Sequence, residues 1–346
     1  MRIVNTSYRI PSKRLSNEEL IELINNKNPE ESSLHKAVVF RTMRIMFDKI
    51  GAESRYIRDA EHGEKAATLI LGAMKDALDG AGMAASDMDV LIYCGVGKGF
   101  LEPANAYLYA QAMGMVRANC FDVTDACMSW IRALQIAYLM LRAGSAKRVM
   151  VVNGEFHAGL RNSWRVPQVA QLKYTLPTYT IGEAASATIL EQSDAEWQFD
   201  YASRCDLADL CTIPLEGFDD FVNSPSERIG LNGVNAFVSF GHELFSEAVE
   251  LLGPLIAQAI PPDQAKRWYF PHAPSKTLYE EHAPKWGVPK EKLFLRVFPE
   301  FGNLVSASIP VGLALAQKEG VLGRGDPIAF IPASAGMVAS VVQCAF

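Results

Sequence analysis

Apolar positions along the chain recur with two periods. From Glu64 to Gly82, residues Ala67, Ile70, Leu71, Met74 and Leu78 fall on one face at three- and four-residue spacing, which predicts an amphipathic helix. Trp130, Ile131, Leu134, Ala137, Tyr138 and Leu141 repeat that pattern until Ala143-Gly144-Ser145, where glycine is a natural stop. Between such segments stand Val90–Cys94, continuously apolar, and Lys147–Asn153 with its apolar centre Val149–Val152, the signature of strands buried on both faces of a parallel sheet. Helix 103–114 and the helix after Cys127 separate them. Strand–helix–strand–helix–strand in this order implies right-handed crossovers and a layered α/β architecture.

The remaining elements follow from punctuation. Met1–Ile10 reads as an opening strand. Ser16-Asn17-Glu18-Glu19 is a capping-box signature for the next helix. Asn25–Ser33 is polar and loop-like, and Leu34–Met46 regains helical character. Gly159–Thr180 has few periodic positions. Ile181–Leu190 and Trp197–Arg204 read as strands on either side of the polar break Glu191–Glu196, which divides the chain into 1–192 and 193–346. In the second part, Phe237–Leu252 reads as a helix and Arg267–Pro271 and Leu293–Val297 as strands. Pro310–Lys318 is a helix with proline at its start and Gly320 past its end. Ile328–Pro332 and Ser340–Ala345 close a second sheet.

Composition narrows the function classes. At 346 residues the chain suggests about two domains. With 49% hydrophobic and 21% charged residues it can bury a large core. A net charge of −6 argues against a general nucleic-acid binder. The six cysteines show no CxxC and no metal spacing, so they are expected as reduced thiols of a cytoplasmic protein. No apolar run reaches membrane-span length.

Cys127 is the candidate for chemistry. It follows the strand-like Phe121-Asp-Val-Thr and precedes the Trp130–Leu141 helix, so its sulfur is expected near a helix N-terminus, where backbone N–H groups and the dipole favour a thiolate. Taken alone, it reads rather as a small buried hydrophobe, as most free cysteines are.

Four segments change that balance. The surroundings of Cys127, Tyr269-Phe-Pro-His272-Ala, Phe301-Gly-Asn303-Leu-Val-Ser-Ala-Ser-Ile-Pro310 and Gly325-Asp-Pro-Ile-Ala-Phe-Ile-Pro-Ala-Ser-Ala-Gly336 stand in this order along the chain. They resemble the nucleophile, histidine, asparagine and C-terminal glycine motifs of the thiolase-like condensing enzymes, in particular ketoacyl-acyl-carrier-protein synthase III. The resemblance covers nearly the whole chain. It implies two similarly folded halves, layered α-β-α-β-α around two mixed five-stranded sheets, and a homodimer built across a two-fold axis. It also implies acyl-CoA or acyl-carrier-protein phosphopantetheine thioesters as substrates, with no permanently bound cofactor and no metal.

By the same resemblance Cys127 would carry the acyl group, and the backbone N–H groups of Cys127 and Gly336 would form an oxyanion hole. Glycine at 336 suits the close approach of backbone to a ligand. His272 and Asn303 would donate N–H groups to the carbonyl of a second thioester. The other histidines, at 35, 62, 157, 242 and 282, read as structural. Ile50-Gly51-Ala-Glu-Ser-Arg55 resembles a turn near the mouth of the family's cofactor tunnel. Lys49 and Arg55 are therefore candidate phosphate contacts, the alternative for each being solvated surface charge.

One position departs from the synthase III pattern. Glu102, 25 residues before Cys127, stands where typical synthase III enzymes carry an apolar residue in a loop that reaches the partner's acyl pocket. Leu101-Glu102-Pro103 resembles the subgroup that joins two acyl chains head to head, the olefin-pathway and pyrone-forming ketosynthases. There the glutamate is thought to deprotonate an α-carbon. Burial would raise its pKa toward that of a useful base. The structural alternative is an exposed loop glutamate before a proline. Three functions remain open within the resemblance: non-decarboxylative condensation with Glu102 as base, malonyl-decarboxylating condensation that needs only His272 and Asn303, and acyl transfer to an alcohol or amine. A non-catalytic partner subunit is disfavoured because Cys127, His272 and Asn303 are all present.

Overall fold

A computed structural model describes residues 1–156, 164–223, 226–261 and 266–346. His157 and the start of the Gly159–Thr180 stretch lie outside the described residues.

The first sheet is built from β1 (Arg2–Arg9), β4 (Val90–Cys94), β5 (Asn119–Val123), β6 (Arg148–Glu155) and β7 (Ala184–Glu191), in the order β1-β7-β6-β4-β5. β4, β5 and β6 run parallel, while β7 is antiparallel to both β6 and β1. Every residue of β4 is buried, as its unbroken apolar run requires of a strand covered on both faces. A small hairpin-like pair, β2 (Lys13–Ser16) and β3 (Ser54–Ile57), flanks α1 (Asn17–Lys27) and α2 (Ser33–Ile50). The capping box at the start of α1 forms as the sequence predicts. Ser16 Oγ accepts from Glu19 N at 3.2 Å, and Glu19 Oε2 accepts from Ser16 N at 2.7 Å.

α3 (Ala66–Ala81) and α4 (Asn105–Met113) cover the outer face of this sheet. α4 starts where Asp122 of β5 accepts the backbone N–H groups of Asn105 and Ala106 at 2.9 and 3.0 Å, a carboxylate set on the positive end of the helix. α5 (Ser129–Arg142) lies on the inner face, with Trp130, Ile131, Ala133, Leu134, Ala137 and Leu141 buried. A short helix α6 (Leu172–Thr175) then leads toward β7.

The second sheet carries β8 (Gln198–Ser203), β11 (Trp268–Phe270), β12 (Pro327–Phe330), β13 (Ala333–Ser334) and β14 (Val338–Ala345). Three of its pairings repeat those of the first sheet, with β11 parallel to β12, β12 antiparallel to β14 and β14 antiparallel to β8, while β13 pairs antiparallel with β14. A two-stranded pair, β9 (Cys211–Thr212) and β10 (Val238–Ser239), precedes α7 (Gly241–Ala259). α7 and α8 (Lys276–His282) cover the outer face. α9 (Val297–Phe301) and α10 (Ser308–Lys318) follow. α10 joins α5 between the two sheets in one continuous core, where Trp130 meets the Phe330 ring edge-on at 5.2 Å. The result is the layered α-β-α-β-α order expected.

Two expected elements differ. Leu293–Val297 is no strand: Leu293 makes a single parallel bridge to Tyr269, and α9 begins at Val297. Its apolar residues are buried by packing rather than by a ladder, with the Phe294 ring 5.4 Å from that of Phe270. A short apolar run cannot distinguish the two states. The helix expected over Phe237–Leu252 begins only at Gly241, after β10, and runs on to Ala259 through Pro254. Among the described residues no helix is long and apolar enough to cross a membrane.

Candidate active site

Cys127 sits in the turn between β5 and α5, two residues before the helix starts at Ser129. The turn is tight. Ala126 has φ +43°, Met128 N donates to Asp125 O at 2.8 Å, and Ser129 Oγ donates to Ala126 O at 2.7 Å. Arg132 Nε pairs with Asp125 at 2.9 Å and holds the far side. A positive φ on alanine is an uncommon conformation held by its surroundings.

The expectation that the helix terminus would lower the Cys127 pKa is overturned. Burial pushes the thiol well above its ordinary value, and the nearby Cys211 and Glu155 push in the same direction. The Ser334 hydroxyl and the Cys127 backbone N–H favour the thiolate but are outweighed. Cys127 is therefore a neutral thiol before substrate arrives.

His272 follows β11 by two residues and is 3% exposed. Its Nδ1 lies 3.2 Å from Ser308 Oγ at the start of α10, its ring also hydrogen-bonds the backbone of Val305, and its carbonyl accepts from Tyr279 Oη at 3.0 Å. Burial lowers its pKa to about 4, so the imidazole is neutral at physiological pH. The phenol of Tyr279 is near enough to Cys127 for the thiolate charge to act on it.

Asn303 is also buried. Its N–H donates to Thr180 O at 2.8 Å and its carbonyl accepts from Gly182 N at 3.0 Å, so the residue is stitched to the chain entering β7. Its side-chain Oδ1 accepts from Val305 N at 2.9 Å, which leaves the amide NH₂ as the donor end. Val305 has φ +51°, an outlier for a β-branched residue, and the strain lies beside the amide it orients. The 303–308 segment thus brings His272 and Asn303 together. Val305 and Cys127 share one apolar cluster with Val96 and Phe237.

Gly336 follows β13 with φ +125° and is exposed. A Cβ there would meet nothing within 4 Å, so open space lies in front of it. Glycine is required by the backbone angle rather than by crowding.

Three candidates stand elsewhere. Glu102 is exposed, in a loop that also exposes Phe100 and Leu101. Asn105 ties that loop down, accepting from Gly99 N at 3.1 Å and donating to Phe100 O at 3.3 Å. Lys49 is exposed in the last turn of α2. Arg55 corrects both readings made of it. It is 1% exposed, donates to Leu15 O and to Asn17 Oδ1 at 2.9 Å, and packs its guanidinium over the Phe47 ring. Burial lowers its pKa to about 10. It is neither a phosphate contact nor a solvated charge, because its side chain turns inward to hold β2, β3 and α2 together.

Sequence reasoning also missed three neighbours of Cys127: Ser334, Cys211 and Glu155. Ser334 lay inside a motif that had been recognised. Cys211 and Glu155 lie in stretches whose residues carry no signal of proximity.

Two family models match the chain. Residues 121–206 match 3-oxoacyl-[acyl-carrier-protein] synthase III, and residues 259–344 match the C-terminal part of the same family. The β-ketoacyl-[acyl-carrier-protein] synthase III of Bartonella bacilliformis is 28% identical over 92% of this chain and 90% of its own length. That of Agrobacterium fabrum is 27% identical over 84% and 87%. The structure of 3-oxoacyl-[acyl-carrier-protein] synthase III from Aquifex aeolicus superposes with TM-score 0.80 at 22% identity, covering 100% of this chain and 99% of that one. An OleA variant of Xanthomonas campestris, described with bound lauric acid and lauroyl-CoA, superposes with TM-score 0.80 at 19% identity over 99% and 98%. Together with a cysteine at the strand-to-helix turn and a histidine and asparagine buried around the 303–308 segment, these matches make the chain a thiolase-like condensing enzyme, an acyltransferase of the 3-oxoacyl-acyl-carrier-protein synthase III family.

Proposed function

We propose that the chain joins two acyl units by a Claisen condensation through an acyl-Cys127 intermediate. The Cys127 sulfur attacks the carbonyl of an acyl thioester, its proton passes to the departing thiol of CoA or phosphopantetheine, and a thioester to Cys127 forms. The backbone N–H groups of Cys127 and Gly336 hold the oxyanion of that step. The enolate of a second thioester then attacks the acyl carbon, and the bond to sulfur breaks. His272 and Asn303 donate to the enolate oxygen. The observation that carries this reading is that His272 is buried and neutral and is held by the 303–308 segment together with an asparagine whose Oδ1 is already occupied, which leaves the Asn303 amide NH₂ as a donor.

The second thioester loses its α-proton to Glu102 of a partner subunit. The exposed Phe100-Leu101-Glu102 loop supports this, because it projects two large apolar side chains and a carboxylate away from their own chain. β5 ends the first sheet and is the edge on which a second copy would continue it, giving an isologous homodimer. The halves divide at 192/193, in the polar link between β7 and β8. Lys49 meets a CoA or carrier-protein phosphate at the mouth of the site.

The test is intact-protein mass spectrometry with lauroyl-CoA, alongside condensation assays of wild type and Glu102→Gln. Both proteins should acquire an acyl mass on Cys127, and only wild type should condense two non-malonyl thioesters. Condensation by Glu102→Gln at the wild-type rate, or a monomer by light scattering, removes the base role and leaves malonyl decarboxylation. An acyl mass that moves to an added alcohol or amine supports simple acyl transfer instead.

A further inference from the structure

The carboxylate of Glu155 has no part in the steps above, yet it is fully buried at the last residue of β6. Ser306 donates to it twice, from its hydroxyl and from its backbone N–H at 3.3 Å, and Val96 N donates at 3.2 Å. The Gly97 N–H adds a further bond. The Ser306 hydroxyl in turn accepts from Asn153 Nδ2 at 2.7 Å, and Asn153 Oδ1 accepts from Ser186 Oγ at 3.2 Å. A directed chain of donors therefore runs from β7 through β6 and ends on this carboxylate.

The two segments it joins are those that carry the chemistry. Ser306 belongs to the turn immediately after Asn303. Val96 and Gly97 begin the loop from β4 that continues into Gly99–Glu102. The fit is close: a Cβ on Gly97 would stand 2.4 Å from Gly154 O, and one on Gly95 would stand 3.0 Å from Glu155 Oε1. We propose that Glu155 is a positioning residue of the condensing site, clamping the turn that orients Asn303 to the loop that leads to Glu102. This rests on the condensing role assigned above to Asn303.

The clamp has an electrostatic consequence. Burial raises the Glu155 pKa to about 7 against the donors that favour its ionised form. When ionised it opposes ionisation of Tyr93 and Cys94 on β4 and of Cys127. The facing stretch of β7, Ala184–Thr188, carries no titratable side chain. The Arg58–Glu183 ion pair flanks it, with Arg58 reaching Phe156 O at 3.4 Å. Removing the Glu155 charge therefore makes Cys127 easier to ionise.

The experiment uses the full chain with Glu155→Gln and Glu155→Asp. Alkylation of Cys127 by iodoacetamide is followed against pH by peptide mass spectrometry, beside acyl loading from lauroyl-CoA and condensation. Glutamine retains one acceptor but turns an NH₂ toward N–H and O–H donors. Glu155→Gln should shift the alkylation midpoint to lower pH and still load Cys127. Its condensation kcat should fall about 10- to 100-fold, the scale of a misplacement near 1 Å, with KM little changed. Glu155→Asp keeps the charge but not the reach, so its alkylation profile should stay near wild type while condensation falls. If Glu155→Gln does not fold, Glu155→Asp alone decides. Wild-type condensation in the folded variants, or an unshifted midpoint in folded Glu155→Gln, overturns the inference. Failure of wild type itself to condense removes the proposed function instead, and the alkylation profiles still report whether Glu155 acts on Cys127.

Discussion

Replacing Gly302 with alanine tests how the asparagine of the site is held. Gly302 has φ +81° and ψ −169°, a region that only glycine occupies readily. Its added Cβ would stand 2.6 Å from the Thr180 carbonyl oxygen and 2.9 Å from the Arg55 Cβ. Neither neighbour can give way cheaply, since Thr180 O accepts the Asn303 N–H and Arg55 is packed under Phe47. Backbone strain of about 2 kcal/mol and overpacking of about 2 kcal/mol add to about 4 kcal/mol. Gly320→Ala is the control. Gly320 also has positive φ, at +70°, but a Cβ there meets nothing within 4 Å. It should cost only about 1 kcal/mol. Urea unfolding should show the two midpoints separated by about 1 M, given a slope of about 3 kcal/mol per M for a chain of this size. Whatever fraction of Gly302→Ala folds should load Cys127 yet condense about 100-fold more slowly, because relief of the clash turns the peptide that carries Asn303. Equal destabilisation by the two substitutions would refute the crowding argument, and normal condensation by Gly302→Ala would refute its link to Asn303.

Cys127→Ala should fold and acquire no acyl mass, and a surviving covalent adduct would assign the nucleophile to another residue. His272→Ala and Asn303→Ala should each keep loading but lose about 10²-fold or more in condensation, the scale of a lost oxyanion donor; equal loss of both steps would assign them to the first half-reaction. Burial lowers the His272 pKa from its ordinary 6.5 to about 4, so the unfolded chain binds the extra proton first as pH falls. That costs stability progressively between about pH 6.5 and pH 4, up to about 3 kcal/mol at about 1.4 kcal/mol per decade. Glu155, raised from 4.5 to about 7, acts in the opposite sense and loses stability as pH rises from about 4.5 to about 7. Urea midpoints at pH 5 and pH 7 should therefore show His272→Asn losing less stability on acidification than wild type, and the same acid slope in both would refute a neutral buried imidazole.

Much of the chain was determined locally. The capping box at Ser16 forms from four consecutive residues, and the five apolar residues of β4 suit the strand covered on both faces that they form. The motif order placed Cys127, His272 and Asn303 on turns at the ends of β5, β11 and α9, since a motif records a local backbone shape together with the side chain it presents. Tertiary structure decided what depends on distant neighbours. Leu293 meets Tyr269 only once, so an apolar run became a bridge and a helix instead of a strand. Arg55, a cation in a loop-like stretch, is buried because Phe47, Leu15 and Asn17 close around it. The helix-dipole argument for Cys127 was local. It lost to desolvation and to Glu155 and Cys211, whose proximity arises only when segments far apart in sequence are packed together in a medium of low dielectric constant. Glu155 itself is one acidic residue after an apolar run, and nothing in that run says that the turn after Asn303 closes over it.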